Sequence, residues 1–287
     1  MSGAPEDRIT EAALASLAAT PDARLKQILT SLVRHLHGFV RDVEPSEQEW
    51  LRAIAFLSET GRMCDDKRQE FILLSDTLGT TMLVDAINHR AADGATESSV
   101  LGPFHRDAAP DIGQMDSISG DTPGEPVIVR GRVAAQDGAP IAGALLDIWH
   151  GGPNGRYENQ DPSQPDFNLR GRLLSDADGR YAFRTVKPSS YPVPHDGPVG
   201  TLLQATGRHP YRPAHIHFIV SADGYAPITT QLFTRGDSYL DSDAVFGVKD
   251  SLVVDYVRHD SDTEAAELGV NAPFYTVDYD FGLKPAT

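Results

Sequence analysis

The chain is 287 residues long, enough for about two domains, and carries a formal charge of −16. That sign excludes an ordinary nucleic-acid or anionic-membrane surface, and the lone Cys64 excludes both an intrachain disulfide and a thiolate metal site. The opening MSGAPEDRIT is acidic without an apolar stretch, so no secretory signal is expected and a reducing cytoplasm suits the chain.

Residues 20 to about 92 read as helices. Thr20 and Pro21 form a candidate N-cap and first-turn pair, after which Ile28, Leu32, Leu36, Phe39 and Val40 recur at helical spacing. SEQE, Ser46 to Glu49, has the form of a capping box, and Trp50, Ile54 and Leu57 follow on one face. A third helix is predicted through DKRQEFILLSDTLGTTMLVDAINH, with Phe71, Leu74, Leu78 and Met82 along one side. Leu73 and Asp76 lie roughly opposite that stripe, which fits either a solvated face or a helix covered on two sides.

From about residue 105 the period changes. EPVIVRGRVAAQDGAPIAGALLDIWH, LLSDADGRYAFRTV and PAHIHFIVSADGYAPITTQLF are short apolar runs separated by Gly, Pro and Asp. They predict an antiparallel β-sandwich or barrel, mainly β with an α-helical N-terminal part, divided as 1–105 and 106–287. SDADG lacks the carboxylate that would complete a calcium loop and is expected to form a hairpin turn.

Within RPAHIHFIV, alternation sends His215, His217 and Ile219 to one face and Ile216, Phe218 and Val220 to the other. Two imidazoles side by side admit a structural pair, a facial triad completed by any of the abundant carboxylates, or a site completed by other donors. The downstream residues do not supply the further Glu and His of a cupin. Tyr157 and Tyr191 stand in turn-rich segments of the kind that carry sites on a rigid sheet. Either could be an ordinary interface tyrosine; as a metal ligand each would have to be deprotonated, and phenolate suits ferric iron better than zinc.

The order Tyr157, Tyr191, Arg212, His215, His217 resembles that of the intradiol ring-cleaving dioxygenases, as do VLGPF, YPVPHDGPVG, GRHPYRPAHIHF and GDSYLDSDAVFGVKDSL. The resemblance runs from about residue 20 to 280. VLGPF, YPVPHDGPVG and DSDAVFG are most similar to the branch that opens hydroxyquinol, benzene-1,2,4-triol, while DIWHGGPNGRYEN departs from the family's usual approach to the first tyrosine.

The resemblance implies one non-haem Fe(III) held by Tyr157, Tyr191, His215 and His217. It implies a diol bound through both vicinal oxygens, with Tyr191 released to take a substrate proton and the ring opened by O₂ between the hydroxyl-bearing carbons. Arg212 would stabilise the negative charge that develops, and Gln231 would be a donor behind the ligands or one facing the reacting oxygen. The pocket would be walled by Leu73, Asp76, Val100, Leu101, Gly102, Phe104, Val193, Pro194 and Val245. Asp76 could accept a hydrogen bond from a third ring hydroxyl, which favours hydroxyquinol over catechol or chlorocatechol. A homodimer joined through the helices, with a lipid-like molecule between them, is also implied. A metal-free β-sandwich binding module is the reading from a different class.

Overall fold

The computed structural model describes residues 5–65, 68–90 and 94–286. Contacts divide the chain into two compact units, Met1–Glu59 and Thr60–Thr287. The division falls earlier than the expected boundary after residue 105, so the helices at 70–88 pack with the larger unit.

The smaller unit contains α1 (Pro5–Ser16), α2 (Ala23–Val43) and most of α3 (Glu47–Arg62). α1 lies outside the predicted helical stretch; none of its residues is buried, so its sequence has no strong apolar stripe to announce it. The cap of α2 is Asp22, whose carboxylate accepts the Leu25 amide at 2.9 Å, and Thr20 lies outside the helix. A carboxylate two residues further on outcompetes the hydroxyl because it sits where the first free amides point. The Ser46–Glu49 capping box forms as expected: Glu49 accepts from the Ser46 backbone at 2.8 Å, and the Glu49 amide donates to Ser46 Oγ at 3.3 Å. α2 buries none of its apolar stripe; Leu32 is 55 % exposed.

In the larger unit the single helix predicted across DKRQEF to INH is two, α4 (Glu70–Thr77) and α5 (Thr80–Asn88). Gly79 separates them at φ +73°, a left-handed conformation that an L side chain rarely adopts, so the helical ladder ends there. Asp66 and Lys67, at the start of that prediction, lie outside the described residues. Of the expected stripe, Leu74 and Met82 are buried and Phe71 and Leu78 are exposed.

The strands follow as β1 (Asp111–Ile112), β2 (Pro126–Ala135), β3 (Leu145–His150), β4 (Arg170–Leu174), β5 (Arg180–Val186), β6 (Tyr191–Pro192) and β7 (Tyr211–Arg212). β8 (His215–Ser221), β9 (Ile228–Thr234), β10 (Val253–Val254), β11 (Val257–His259), β12 (Phe274–Asp278) and β13 (Phe281–Leu283) complete them. Helix α6 (Pro198–Ala205) lies between β6 and β7, and α7 (Asp262–Glu267) between β11 and β12.

One sheet runs β1-β4-β3-β8-β9-β10 and the other β11-β12-β2-β13, with β5 also on β2. Their facing sides supply one core: Val127, Val129 and Phe183 from one sheet meet Leu146, Ile148, Ile216, Phe218, Val220 and Leu232 from the other. This is the expected sandwich. The pairs β4–β3–β8–β9, β2–β5 and β11–β12 are antiparallel, while β1 adds in parallel to β4, β10 to β9, and β12 and β13 to β2.

SDADG is a tight turn but not a hairpin, because β4 and β5 belong to different sheets. Asp176 closes it by accepting the amides of Asp178 at 2.9 Å and Arg180 at 2.7 Å, so the chain crosses from one sheet to the other. Among the described residues no helix is long and apolar enough to cross a membrane.

Candidate metal centre and substrate pocket

Strand β8 occupies the middle of its sheet, between β3 and β9, and its alternation is the predicted one. Ile216, Phe218 and Val220 enter the sandwich core, which turns His215 and His217 to the opposite face. Register then sets their neighbours: Trp149 on β3 and Gln231 on β9 stand directly beside His217. Tyr191 and Arg212 are brought together by a two-residue ribbon, β6 against β7. Tyr157 follows β3 and is fully buried at the start of a short turn, where Gln160 accepts its amide at 3.1 Å. The next residue, Glu158, is held by Arg170 at 2.7 Å and Arg106 at 2.6 Å, which fixes the segment behind the phenol.

These elements converge four donor side chains. His215 Nε2 and His217 Nε2 are 3.0 Å apart, and Tyr157 Oη lies 3.1 Å from His217 Nε2. The Tyr191 ring is 5.5 Å from that of Tyr157 and 5.6 Å from that of His215. His215 Nδ1 lies 2.7 Å from the Pro213 carbonyl; since a carbonyl only accepts, the proton is on Nδ1 and the Nε2 lone pair faces the cluster. His217 has no such partner on Nδ1. Its ring is instead stacked on Trp149, 4.6 Å away and 8° from parallel, and Gly102 closes in opposite His217 Cε1, where a Cβ would come within 3.2 Å.

Burial pushes both imidazoles well below the ordinary histidine range, for His217 with help from the neighbouring His215 and for both from the Arg212 charge. They are neutral, as metal ligands must be. Burial, and then the neighbouring Tyr191, push the Tyr157 phenol well above its ordinary value, so only a cation at the cluster would make it a phenolate. Among the described residues no three His, Cys, Asp or Glu side chains gather around one point, so a facial triad has no carboxylate to use. Two neutral imidazoles and two phenols are the donors that remain, and with the phenols deprotonated by a bound cation that set fits ferric iron.

Behind the cluster Arg212 is buried, with Nη1 3.3 Å from His215 Nε2. Burial opposes its charge, but the Asp243 carboxylate, followed by Tyr191, outweighs that and raises its pKa. Arg212 Nη2 donates to Gln231 Oε1 at 2.8 Å, and Gln231 Nε2 donates to the Val100 carbonyl at 2.5 Å. The Gln231 amide is thus engaged at both ends, as a support of Arg212 and of the 100–104 segment.

The wall residues gather in part. Val100, Val193, Val245 and Leu73 form one apolar cluster with Met82 and Leu203. Phe104 stacks on Tyr157 with ring centres 4.4 Å apart. Asp76 is half-buried; burial raises its carboxyl above the ordinary range, and its Oδ1 is enclosed without a hydrogen-bond partner. Leu101 is not in that cluster: it is exposed and borders a separate cavity of about 820 Å³ with Val84 and Ile219. Pro194 is half-buried, beside Val193.

Sequence reasoning missed Trp149, Asp243 and the Glu158–Arg170 pair. Trp149 becomes visible only through the β3–β8 register, and Asp243, though it stands in DSDAVFG, is one of 41 acidic residues and nothing local names Arg212 as its partner.

Two family models match, one described as "Dioxygenase" over residues 100–285 and one as "Catechol dioxygenase N terminus" over residues 22–96. The chain is 51 % identical over 280 residues to hydroxyquinol 1,2-dioxygenase of Rhizobium sp., covering 97 % of this chain and 95 % of that one. It is 50 % identical over 280 residues to 6-chlorohydroxyquinol 1,2-dioxygenase of Cupriavidus pinatubonensis, covering 98 % of each. Among solved structures, hydroxyquinol 1,2-dioxygenase of Pseudomonas putida DLL-E4 superposes with a TM-score of 0.93 at 50 % identity, over 98 % of this chain and 99 % of that one.

Proposed function

The chain belongs to the intradiol ring-cleaving dioxygenases, a family that uses non-haem iron, and we propose that it opens hydroxyquinol with O₂ to 3-hydroxy-cis,cis-muconate, the enol of maleylacetate. Tyr157, Tyr191, His215 and His217 would hold one Fe(III) per subunit. A ferric ion held there would supply Lewis acidity toward the bound diol.

The side chains do the rest. Tyr191, as a phenolate, would take one of the diol's two protons and solvent hydroxide the other, so no carboxylate base is required. Tyr157, locked behind Glu158 and Arg170, stays in place. The Nη1 edge of Arg212 faces the site and stabilises negative charge as it builds on the ring, an effect on the order of 3 kcal/mol for one well-placed donor. Val100, Val193, Val245, Leu73 and Phe104 exclude water from the ring.

Asp76 carries the choice of substrate. Its enclosed, partnerless Oδ1 in an apolar wall supports an acceptor for a third ring hydroxyl. A ring without that hydroxyl would leave this one oxygen unpaired, at about 1–3 kcal/mol. Catechol or chlorocatechol is the alternative substrate.

Oxygen uptake with hydroxyquinol and with catechol, each corrected for autoxidation, is the test. Wild type should favour the triol, and Asp76→Ala should cut kcat/KM for it roughly tenfold while changing catechol little. Equal losses on both would remove the role given to Asp76. The iron-loaded protein should be red-brown from phenolate-to-iron charge transfer, and the colour should vanish when Tyr157 and Tyr191 are both Phe. Colour retained in that double variant would exclude the tyrosines as ligands; colourless, iron-free wild type would favour a binding module.

In this reading the helices within 1–105 serve assembly and 106–287 catalysis, with Leu73, Asp76, Val100 and Phe104 of the first segment completing the pocket. The exposed α2 stripe of Ile28, Leu32, Leu36, Phe39 and Val40 supports a homodimer joined through helices, with a lipid-like molecule between them. Sedimentation of Leu32→Glu should show monomer; an unchanged dimer would place the contact elsewhere.

A further inference from the structure

Arg212 has five N–H groups, and their allocation is uneven. Nε donates to Asp243 Oδ1 at 3.0 Å, and Nη2 donates to Asp243 Oδ2 at 3.2 Å and to Gln231 Oε1 at 2.8 Å. Nη1 is the nitrogen that Asp243 and Gln231 leave to the site, and its partner there is His215 Nε2 at 3.3 Å. A planar guanidinium gripped along Nε and Nη2 cannot turn without breaking both bonds, so the carboxylate decides where Nη1 points.

Asp243 is itself fixed. Its Oδ1 also accepts the Val245 amide at 3.3 Å and its Oδ2 the Gly247 amide at 2.9 Å. Four donors thus meet two carboxylate oxygens, and two of the donors belong to the turn that carries Val245 into the pocket wall. Gly247 must be Gly for the same reason: a Cβ there would stand 2.8 Å from Arg212 Nη2 and 3.2 Å from Asp243 Oδ2. Ser99 Oγ donates to the Gly247 carbonyl at 2.8 Å, which ties this turn to the segment that bears Val100.

We propose that Asp243 is a positioning residue for ring opening: one carboxylate aims the Arg212 guanidinium at the reacting ring and holds it in register with the Val245 wall. The proposal rests on the ring-opening reading above. A carboxylate that merely closed the sandwich would have no cause to turn the remaining nitrogen of its arginine onto a ligand histidine. Nor would it need to be bound to the wall turn.

The experiment is a double-mutant cycle on the iron-loaded protein with Asp243→Asn, Arg212→Gln and the pair, reading kcat, KM, the visible absorption band and the melting temperature. Asparagine preserves the shape but sets an NH₂ against a donor. Asp243→Asn should lower kcat on the order of a hundredfold, the range for losing one aligned donor, with the resting absorption band unchanged. In the Arg212→Gln background it should cost less than about twofold more, because the two residues act as one unit. Equal losses in both backgrounds, or a kcat within about twofold of wild type, would overturn the proposal.

Should Asp243→Asn not fold, Gly247→Ala displaces Nη2 while keeping the carboxylate, and should give the same loss in kcat; wild-type kcat there overturns the proposal. A crystal structure of whichever variant folds reads positioning without turnover. Nη1 shifted away from His215 supports the assignment, and Nη1 unmoved overturns it. That arm stands even if wild type opens no ring, a result that would instead overturn the assigned reaction.

Discussion

The two units of this chain use apolar residues in opposite ways. In the β unit, alternation along β8 and β3 buries every inward side chain, with Ile216, Phe218, Leu146 and Ile148 all within 1 % of full burial. In the helical unit a comparably regular stripe on α2 buries none. Period two on a central strand names both the element and its neighbours, since a sandwich supplies its own second layer. Helical period names the element only; what covers the face is left open.

Substitutions can break that contrast. Phe218→Ala should cost about 4 kcal/mol in a urea melt, because a fully enclosed ring leaves a cavity that rigid strands cannot close. A loss under about 1 kcal/mol would mean the sandwich core repacks freely.

The β unit should also respond to acid through His150, buried between the Gly151 carbonyl and Thr185 Oγ1, with burial lowering its pKa from 6.5 to about 4. Above pH 6.5 the ring is neutral in folded and unfolded chains alike. As pH falls from 6.5 to about 4 only the unfolded chain takes the proton, so about 3 kcal/mol of stability is lost across that window. Urea melts from pH 7 to pH 4 should therefore slope less for His150→Gln, and parallel curves would discard His150 as the cause.

Smaller effects probe the helical unit. Ser46→Ala removes one half of the capping box and should cost about 1 kcal/mol, read as lost helicity by circular dichroism on heating. Leu32→Ala is the sharpest comparison with Phe218→Ala. On an uncovered face it should cost about 0.5 kcal/mol or less at protein concentrations low enough to keep copies apart. A cost that grows with protein concentration would show that a second copy covers the stripe.

Much of the site was legible because its chemistry follows short-range rules. His215 and His217 share a face through alternation alone, and Asp176 makes its turn through bonds to residues two and four positions on. The helices are legible as elements, yet Gly79 splits one and Asp22 caps another, since breaks and caps depend on one residue's backbone state. The family resemblance added the ligand order, which spacing could not supply: Tyr157 and His217 stand 60 positions apart and meet at 3.1 Å.

The sequence by itself determined the period of each half, the pairing of the two imidazoles, the lack of a second cysteine and the strongly negative charge. Each depends only on residue type and on neighbours within a few positions. Tertiary structure decided what stands beside those residues: Trp149 stacked on His217, Arg212 paired with Tyr191 across a two-residue ribbon, and Asp243 gripping the guanidinium from a turn 31 residues away. Strand register and loop closure create such contacts, and neither is encoded in any local run of residues.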